Sequence, residues 1–263
     1  RVDEIIQTGT LSEIPNNTDT TSNTYDQKQI KIKILKNLQR ITGVGPVKAK
    51  KLYDDNHTLE SLLEMYSKND KELSELLTHH QILGVKYFQD LESRIPYGEI
   101  QKIEKYIKAT CRNIDPNLNL TICGSYRRKQ DTSGDIDILI THKDIKTNKD
   151  INESDSDYLE ELIKVLKQKK FLVDHLTING NTKYMGFCKY QNNPSRRIDI
   201  RLIPTSCYSA ALLYFTGSGE FNKNMRTYAL KNGYTINEYG IYKLKVDKTK
   251  GLKIKCDLEE DIF

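Results

Sequence analysis

The chain has 263 residues, of which 29% are charged, and a formal net charge of +5 at pH 7. Its mean hydropathy of −0.64 and its lack of an apolar run of about 18 residues exclude a membrane-spanning helix. The mildly basic balance is compatible with a nucleic-acid partner. Five scattered cysteines without a Cys-X-X-Cys pair indicate reduced thiols in an intracellular protein, and no apolar segment at the start predicts secretion.

The N-terminal residues predict a helix end, a linker and then a helix. Residues 1–11 have the pattern of a helix end stopped by Gly9, and the polar stretch of residues 12–27 predicts a flexible linker. From Lys28 to Leu38, isoleucine and leucine recur at helical spacing among lysines. We therefore expect a helix over residues 28–38.

A glycine turn follows this helix in the segment Ile41-Thr-Gly-Val-Gly-Pro. Gly43 and Gly45 permit a tight turn, and Pro46 suits the first turn of the next helix. The pattern predicts a helix-hairpin-helix, whose backbone amides and nearby lysines, Lys48 among them, can hold a DNA phosphate. An ordinary turn explains Gly-X-Gly-Pro equally well by itself, and the DNA interpretation is favoured only by the acidic and phosphate-binding motifs further along.

Helices and short strands alternate through the rest of the chain. Residues 58–94 have a helical pattern that ends at Arg94-Ile-Pro, and strands begin only after Pro116. The predicted helices are 99–111, 158–170, 207–214 and 221–232, the predicted strands are 120–123, 136–140, 183–189 and 197–203, the predicted loop is 143–157, and small strands are expected between 234 and 263.

Three carboxylates carry the strongest chemical signal. Asp135 and Asp137 lie in Gly-Asp-Ile-Asp-Ile-Leu-Ile, and residues at i and i+2 of a strand point to the same face. Asp199 lies in a second short strand, Arg-Arg-Ile-Asp-Ile-Arg. If the two strands pair, the three carboxylates meet, and a hard cation such as Mg²⁺ or Mn²⁺ relieves their repulsion. A lone Asp-X-Asp is more often a solvated strand edge, but the matching distant aspartate favours a metal site.

A turn rich in phosphate-binding groups precedes the first acidic strand. The segment Gly124-Ser125-Tyr126-Arg127-Arg128 combines exposed backbone amides, a hydroxyl and two guanidiniums, which are the groups that a triphosphate needs. Together with the three carboxylates, this turn predicts metal-dependent nucleotidyl transfer.

These motifs, with others in a fixed order across nearly the whole chain, resemble the family X DNA polymerases of the polymerase beta type. The matching blocks are Ile41-Thr-Gly-Val-Gly-Pro, His79-His-Gln-Ile-Leu-Gly-Val-Lys-Tyr-Phe, Cys123-Gly-Ser-Tyr-Arg-Arg, Ser133-Gly-Asp-Ile-Asp, Arg196-Arg-Ile-Asp-Ile-Arg-Leu-Ile-Pro, Leu213-Tyr-Phe-Thr-Gly-Ser, Phe221-Asn-Lys-Asn-Met-Arg and Gly233-Tyr-Thr-Ile-Asn-Glu-Tyr.

The resemblance implies an α+β fold in several subdomains. A helical helix-hairpin-helix fingers subdomain would be followed by a nucleotidyltransferase palm with a mixed sheet and by a small α/β C-terminal subdomain. The implied divisions are 1–11 as a remnant of an N-terminal lyase-like domain, 12–27 as a linker, 28–95 as the DNA-binding subdomain, 96–204 as the catalytic palm and 205–263 as the nucleotide-selecting subdomain.

The resemblance also implies roles for individual residues. Asp135, Asp137 and Asp199 would hold two divalent cations, Mg²⁺ or Mn²⁺, and Asp199 would accept the proton of the primer 3′-hydroxyl, directly or through water. The residues implied for the nucleotide are Arg94, Ser125, Arg128 and Gly134 at the triphosphate, Tyr214 and Phe215 at the sugar, Gly217 in an expected cis peptide with Ser218, Gly219 where the family often has an aspartate beside the base, and Asn222 and Arg226 at the base pair.

Contacts with DNA follow from the same resemblance. Carbonyls of Gln39, Ile41 and Val44 are expected to hold a monovalent cation, Na⁺ or K⁺, in the hairpin that grips a DNA phosphate. Arg201 has an alternative role as a latch that pairs with an aspartate between catalytic states, and Lys183 and Arg197 have the alternative of a solvated basic face. The residues expected at the DNA are Gly43, Gly45, Lys48, Lys183, Arg197, Arg201 and Tyr239.

The implied function is template-directed filling of short gaps in DNA repair, including base excision repair, by nucleotidyl transfer from a dNTP to a primer 3′-hydroxyl. The expected partners are gapped or primer-template DNA and a dNTP, with no membrane, and the expected state is a monomer. The expected location is intracellular: the nucleus if the source is cellular, and an unknown compartment if it is viral. Arg1 aligns with the family's lyase lysine and cannot form a Schiff base, so lyase activity is predicted to be absent there. Two alternatives stay open: an untemplated terminal nucleotidyltransferase, and a DNA-binding scaffold with a vestigial polymerase site.

Overall fold

The chain divides after Lys86 into two units. The computed structural model describes residues 21–153, 157–179 and 182–263. The predicted N-terminal remnant, with Arg1 and Gly9, lies outside the described residues, as does the first part of the predicted linker. The subdomain boundaries expected after residues 95 and 204 stay predictions.

The first unit is helical throughout its described part. Its core contains side chains that are almost completely buried, among them Leu38, Ile41, Leu52 and Leu62. Burial recurs at helical spacing, as expected for amphipathic helices that turn one face inward. The helices are α1 (Thr21–Leu38), α2 (Pro46–Asp54), α3 (Leu59–Ser67), α4 (Glu72–Leu76) and α5 (His79–Lys86).

The first helix begins earlier than the sequence predicts. The prediction of a linker over residues 12–27 is wrong for residues 21–27, because α1 already starts at Thr21. Threonine, serine and asparagine have low helix propensity, so the composition of this stretch conceals the helix. Residues 26–30 of α1 are exposed, and the helix reaches the core only near its end, at Leu38, where it packs with α2 and α3. The early start therefore extends a helix that is anchored at its C-terminal end.

The second unit combines helices with strands, which confirms the predicted α+β fold class. Its helices are α6 (Phe88–Glu92), α7 (Tyr97–Ile114), α8 (Gly124–Arg127), α9 (Asn148–Glu153), α10 (Tyr158–Gln168), α11 (Tyr208–Thr216) and α12 (Gly219–Lys231). Its strands are β1 (Ile95–Pro96), β2 (Asn119–Ile122), β3 (Thr132–Ser133), β4 (Ile136–Thr141), β5 (Leu172–Asn179), β6 (Lys183–Cys188), β7 (Arg196–Leu202), β8 (Tyr234–Asn237), β9 (Gly240–Leu244) and β10 (Lys250–Ile254).

A five-stranded mixed sheet lies at the centre of this unit, in the order β2–β4–β7–β6–β5. β4 and β7 are parallel, and the other neighbouring pairs are antiparallel. Ile136, Ile138 and Ile140 on one face of β4 are buried in the core formed with α7 and α10. Alternation along the strand therefore sends Asp137 to the opposite face.

The expectation that strands begin only after Pro116 is wrong, because β1 lies at Ile95–Pro96; β1, β3 and the single-turn helix α8 are too short to produce a period in the sequence. Two longer elements, β5 and α9, were missed as well, each for a local reason. β5 pairs with β6 through register shifts near Val173 and Leu176, and these irregularities break the strict alternation that identifies a strand. The predicted loop of residues 143–157 contains α9, a short helix with only Ile151 buried. One buried side chain produces no helical period, so the pattern could not indicate it.

The C-terminal part of the second unit has a small antiparallel sheet of its own, in the order β10–β9–β8, preceded by α11 and α12. The peptide bond between Gly217 and Ser218, at the junction of the two helices, is cis, which confirms that prediction. Among the helices of the described ranges, none is both long enough and apolar enough to cross a membrane.

Candidate active site

The three predicted carboxylates lie on one face of the central sheet. β4 and β7 run parallel, and their register sets Asp137 directly opposite Asp199. Asp135 lies two residues before Asp137, in the bend that leads into β4, and so joins the same face. The expected pairing of the two acidic strands is therefore confirmed. We call Asp135, Asp137 and Asp199 the acidic cluster.

Loss of water and mutual repulsion perturb the acidic cluster. Desolvation, together with the charges of Asp135 and Asp199, raises the pKa of Asp137 to about 7. Desolvation and the charge of Asp199 also raise the pKa of Asp135. The ionised carboxylates oppose one another, so the cluster gains free energy from a cation that neutralises them.

Arg197 supplies part of that positive charge. Its Nη2 donates to Asp199 Oδ1 at 2.6 Å, and its Nη1 donates to the Gly186 carbonyl at 2.8 Å. The guanidinium also lies 5.8 Å from the centre of the Phe187 ring, and the side chain is only 15% exposed. The alternative of a solvated basic face is therefore wrong for Arg197. Its spacing of two residues from Asp199 in β7 was a signal that could have indicated the ion pair.

The chemistry of the acidic cluster fits a divalent cation. No group of three or more His, Cys, Asp or Glu side chains in the described part of the chain is already arranged to hold a metal ion. Asp199 is turned toward Arg197 instead. Carboxylate oxygens are the ligands that Mg²⁺ and Mn²⁺ prefer. The raised pKa values of Asp135 and Asp137 indicate that the nearby guanidiniums compensate only in part for desolvation and mutual repulsion.

The turn that begins at Gly124 lies beside the Asp137 carboxylate. The Cys123 amide donates to the Asp137 carbonyl at 2.8 Å, and Gly124 has a φ of +57°. A Cβ at Gly124 would lie 2.7 Å from Asp137 Oδ2, so no larger residue fits without displacing that carboxylate. The structure thus brings Ser125, the next residue of the turn, close to the acidic cluster.

Arg94 is held near the same cluster by Thr132. Its Nε donates to Thr132 Oγ1 at 2.8 Å, and its Nη2 donates to the Thr132 carbonyl at 3.0 Å. Pairing of β1 with β3 brings the two segments together. A Cβ on Gly134 would lie 3.7 Å from Arg94 Nη1, and the neighbouring Ser133 Oγ is buried with no protein partner. Two predicted triphosphate residues, Arg94 and Gly134, are therefore adjacent, next to an unsatisfied hydroxyl.

Two further arginines connect this turn to the end of α11. Arg128 Nη1 donates to the Thr216 carbonyl, next to Gly217, whose φ is +69°. Arg127 donates to Thr216 Oγ1 at 2.8 Å and forms two hydrogen bonds with Glu259, at 2.5 and 2.9 Å. Sequence reasoning assigned no role to Thr216 or Glu259, because nothing in the sequence indicates that they meet Arg127.

The predicted sugar residues, Tyr214 and Phe215, lie between two guanidiniums, those of Arg201 and Arg226. The Arg201 guanidinium lies 4.8 Å from the centre of the Phe215 ring, and Phe215 meets the Tyr214 ring edge-on at 5.0 Å. The Arg226 guanidinium lies 4.9 Å from the Tyr214 ring, and Asn222 Nδ2 donates to the Tyr214 carbonyl at 2.7 Å. Asn222 Oδ1 and Arg226 Nε are buried without a protein partner, which leaves both available to a ligand.

Three predicted residues lie at the margins of this arrangement. Lys183 of β6 is opposite Arg201 of β7 and so lies on the face of the acidic cluster. Tyr239, in the turn between β8 and β9, is 39% exposed. Gly219 begins α12, and a Cβ there would meet nothing within 4 Å. Their roles toward DNA and nucleotide stay predictions.

The hairpin of the first unit has the turn geometry that the glycines predict. Gly43 has a φ of +87°, and the Val44 amide donates to the Ile41 carbonyl at 3.0 Å. Gly45 caps α2, with Pro46 at the start of that helix. Gln81 Nε2 donates to the Gly43 carbonyl at 2.9 Å and fixes the turn against α5.

Some of the hairpin groups predicted to bind a cation or DNA already take part in hydrogen bonds within the first unit. Of the expected cation ligands Gln39, Ile41 and Val44, the Ile41 carbonyl already accepts one hydrogen bond, and a carbonyl oxygen has a second lone pair to offer. Lys48 Nζ donates to the Leu76 carbonyl, which uses one of its three donors within the unit. Binding of a cation or of DNA at the hairpin stays a prediction.

Comparisons with known proteins agree with this arrangement. Family models match over residues 36–92 (fingers domain of DNA polymerase lambda), 94–205 (DNA polymerase beta palm) and 211–263 (DNA polymerase beta thumb). The chain is 34% identical over 252 residues to DNA polymerase lambda of Arabidopsis thaliana, a match that covers 92% of this chain and 43% of that protein. It is 31% identical over 276 residues to DNA polymerase lambda of Rattus norvegicus, a match that covers 100% of this chain and 44% of that protein. A DNA nucleotidylexotransferase of Xenopus laevis is 29% identical over 265 residues, covering 88% and 49%. The chain thus spans less than half the length of these relatives.

Proposed function

The chain belongs to the beta-like family X DNA polymerases, and on that premise we propose that it is a template-directed DNA polymerase that fills short gaps in DNA repair. The observation that carries the proposal is the acidic cluster, three carboxylates on one sheet face beside Gly124, where a Cβ would lie 2.7 Å from Asp137 Oδ2. The substrates would be gapped or primer-template DNA and a dNTP.

The side chains around the acidic cluster would divide the work of nucleotidyl transfer. Asp199, oriented by Arg197, would accept the proton of the primer 3′-hydroxyl, directly or through water. Arg94 and Arg128 would stabilise the negative charge that builds on the leaving pyrophosphate. Arg128 Nη1, which donates a hydrogen bond to the Thr216 carbonyl, would then donate to a phosphate oxygen instead.

Two divalent cations, Mg²⁺ or Mn²⁺, would be bound by the acidic cluster, one by all three carboxylates and the other by Asp135 and Asp137. Bound there, they would lower the pKa of the primer hydroxyl and neutralise the triphosphate. The raised pKa of Asp137 supports cation uptake, because neutralisation removes the repulsion that raises it. Replacing any of the three aspartates by alanine is expected to lower the rate by about 10³-fold or more.

Selection of the nucleotide would rest on α11 and α12. Tyr214 and Phe215 would close the sugar side of the pocket, where bulk disfavours a ribose 2′-hydroxyl. Asn222 and Arg226 would contact the nascent base pair through their minor-groove edges, and their buried, unpartnered polar atoms support that role.

The hairpin of the first unit would grip a DNA phosphate with the help of Na⁺ or K⁺. Gly45 offers a specific test, because a Cβ there would meet nothing within 4 Å inside the protein. Gly45→Ala should therefore fold, at a cost of under about 1 kcal/mol for the helix cap, yet bind gapped DNA less tightly because the methyl group obstructs the phosphate. Unchanged affinity for gapped DNA would remove the hairpin from the DNA interface.

The test of the function is single-nucleotide incorporation on a gapped duplex with Mg²⁺. The matched control is Asp131→Ala, which replaces an exposed aspartate. The proposal is supported if the wild type and this control extend the primer with the template-matched nucleotide and Asp199→Ala does not. Extension in neither the wild type nor the control would favour a non-enzymatic DNA-binding scaffold.

Similarity to a DNA nucleotidylexotransferase supports a second candidate, untemplated addition to a DNA end. A single-stranded primer in the same assay separates the two functions. Extension of that primer without regard to template would support terminal transfer, whereas extension confined to the gapped duplex would support templated synthesis.

Lyase activity through Arg1 is proposed to be absent. A guanidinium stays protonated and cannot form a Schiff base with the sugar of an abasic site. Borohydride trapping with abasic DNA tests this, and an adduct mapped to Arg1 would contradict the proposal.

A further inference from the structure

A second pocket in the Tyr87–Phe263 unit lies away from the acidic cluster. Its volume is about 460 Å³. Tyr106 belongs to α7 and Lys169 directly follows α10, and both helices pack on the sheet face that carries Ile138 rather than Asp137. The residues that line this basic-aromatic pocket include Tyr106, Lys169, Lys170, Phe171, Lys189 and Tyr190.

Aromatic rings form one wall of the basic-aromatic pocket. The Tyr106 ring lies 5.3 Å from the Phe171 ring and 5.7 Å from the Tyr190 ring, tilted against both. Phe171 is only 3% exposed, whereas Tyr106 and Tyr190 are half-buried. Phe171 thus anchors the group in the core, and the two tyrosines keep surface that a planar ligand can cover.

Lysines from two separate segments line the same pocket. Lys169 Nζ lies 5.7 Å from the centre of the Tyr106 ring. Among the described residues, no carboxylate forms an ion pair with Lys169, Lys170 or Lys189. Like charges gathered around one concavity without an acidic partner attract anions.

The backbone holds these lysines in defined places. Lys170 follows α10 with a φ of +55°, a conformation that usually favours glycine, and its amide donates to the Lys167 carbonyl at 2.8 Å. The Lys189 amide donates to the Phe171 carbonyl at 2.8 Å, which ties the end of β6 to the end of α10. The two lysine-bearing segments are therefore joined through the residue that anchors the rings.

We propose that the basic-aromatic pocket binds a nucleoside phosphate, with the base against Tyr106 or Tyr190 and the phosphate near Lys170 and Lys189. An aromatic side chain stacks on any base, because every base has a π-face, and lysines bind phosphates by charge. The volume suits one nucleotide unit. None of these residues belongs to the acidic cluster or its surroundings, so this site goes beyond the gap-filling function. The nucleotide is either free or part of a single strand.

Photocrosslinking of the full chain, without divalent cations, tests the site and distinguishes the two sources. The probes are 8-azidoadenosine monophosphate for the free nucleotide, and an oligothymidylate of about eight nucleotides carrying 5-iodouracil for the strand. Adducts are mapped by mass spectrometry. We expect adducts on Tyr106 or Tyr190 with at least one probe, and the probe that reacts identifies the source.

Paired charge reversals distinguish binding in the basic-aromatic pocket from attraction to the positively charged surface as a whole. Lys170→Glu with Lys189→Glu should lower the adduct yield about tenfold and reduce the salt dependence of strand binding by about 0.7 per lost phosphate contact. The matched control is Lys102→Glu with Lys164→Glu, two exposed lysines of α7 and α10 outside the pocket lining, and it should retain the adduct. Urea unfolding with midpoints close to that of the wild type shows that both variants fold.

Two results would overturn the proposal. One is that neither probe forms an adduct with Tyr106 or Tyr190, whether or not adducts form elsewhere. The other is that the pocket and control variants lose the adduct equally, because the attraction would then be a property of the whole basic surface. Neither result depends on whether the chain extends a primer.

Discussion

Replacing Asp137 by asparagine should make the protein more stable while it removes activity. Asparagine has nearly the shape of aspartate, so the strand pairing of β4 with β7 is retained. The change removes one of three neighbouring carboxylates whose charges and desolvation raise the pKa of Asp137 to about 7. The part of the repulsion that involves Asp137 is thereby removed permanently, whereas that between Asp135 and Asp199 remains.

The magnitude follows from the shift of that pKa. The ordinary value is 3.8 and the folded value is about 7, and each unit corresponds to about 1.4 kcal/mol, so roughly 4 kcal/mol is the upper bound. Relaxation of the neighbouring carboxylates and entry of water reduce this, and we expect about 1–3 kcal/mol at neutral pH. For a unit of this size that corresponds to a rise in Tm of about 3 °C per kcal/mol.

The sign of the pH dependence is set by the same shift. The folded state binds the Asp137 proton more tightly than the unfolded state. The contribution of this proton to the free energy of unfolding is therefore fully present below about pH 4. That contribution is lost as the pH rises through about 7. The advantage of Asp137→Asn over the wild type should therefore be small near pH 4 and largest near pH 8.

The assay is urea unfolding across this pH range without divalent cations, beside Asp131→Asn as a matched control. Asp131 is exposed, so its replacement should leave the free energy of unfolding unchanged at every pH. Added Mg²⁺ should stabilise the wild type more than Asp137→Asn, because the variant has lost a ligand. The reasoning would be refuted if Asp137→Asn were less stable than the wild type near pH 8, or if its advantage did not grow with pH.

Further predictions follow from contacts in each unit. Arg196→Met should destabilise the protein by about 3–5 kcal/mol in urea unfolding, because Glu99, its buried partner at 2.9 Å, keeps an uncompensated charge. Adding Glu99→Leu should restore most of that loss, and no restoration would contradict the account. Gly84→Ala should unfold at lower urea, because its Cβ would lie 2.4 Å from a backbone oxygen. Thr132→Val should raise the KM for dNTP by releasing Arg94, whereas Thr132→Ser should not, and equal KM values would exclude this positioning role.

The faces on which the catalytic candidates lie could be predicted because they depend on strand alternation, whereas the pairing of β4 with β7 that brings Asp137 and Asp199 together is a non-local contact. Ile-Asp-Ile occurs in both β4 and β7, so burial of the isoleucines determines the face on which Asp137 and Asp199 lie. The hairpin could be predicted for a similar reason, since Gly43 has the positive φ that a glycine in such a turn allows. In each case a local rule determines the geometry.

The partners of these residues could not be predicted, because they come from distant parts of the chain. Thr132 binds Arg94 only because β1 and β3 pair, and Glu259 reaches Arg127 from the C-terminal end. No periodicity connects such positions. The strand β5 was missed for a different reason, since its register shifts against β6 disturb the alternation on which recognition depends.

β4, the strand that carries Asp137, is also one of the most deeply buried, and this explains how the fold tolerates the repulsion. Ile136, Ile138 and Ile140 are at most 1% exposed, and full burial of each side chain contributes about 1.5–3 kcal/mol. Together they outweigh the few kcal/mol by which Asp137 opposes folding. Both contributions depend on one register, because a shift of β4 by a single residue would expose the isoleucines and bury the carboxylates. The burial that stabilises the sheet therefore also keeps the acidic cluster on its functional face. Neutralising Asp137 should raise the free energy of unfolding without altering the strand pairing.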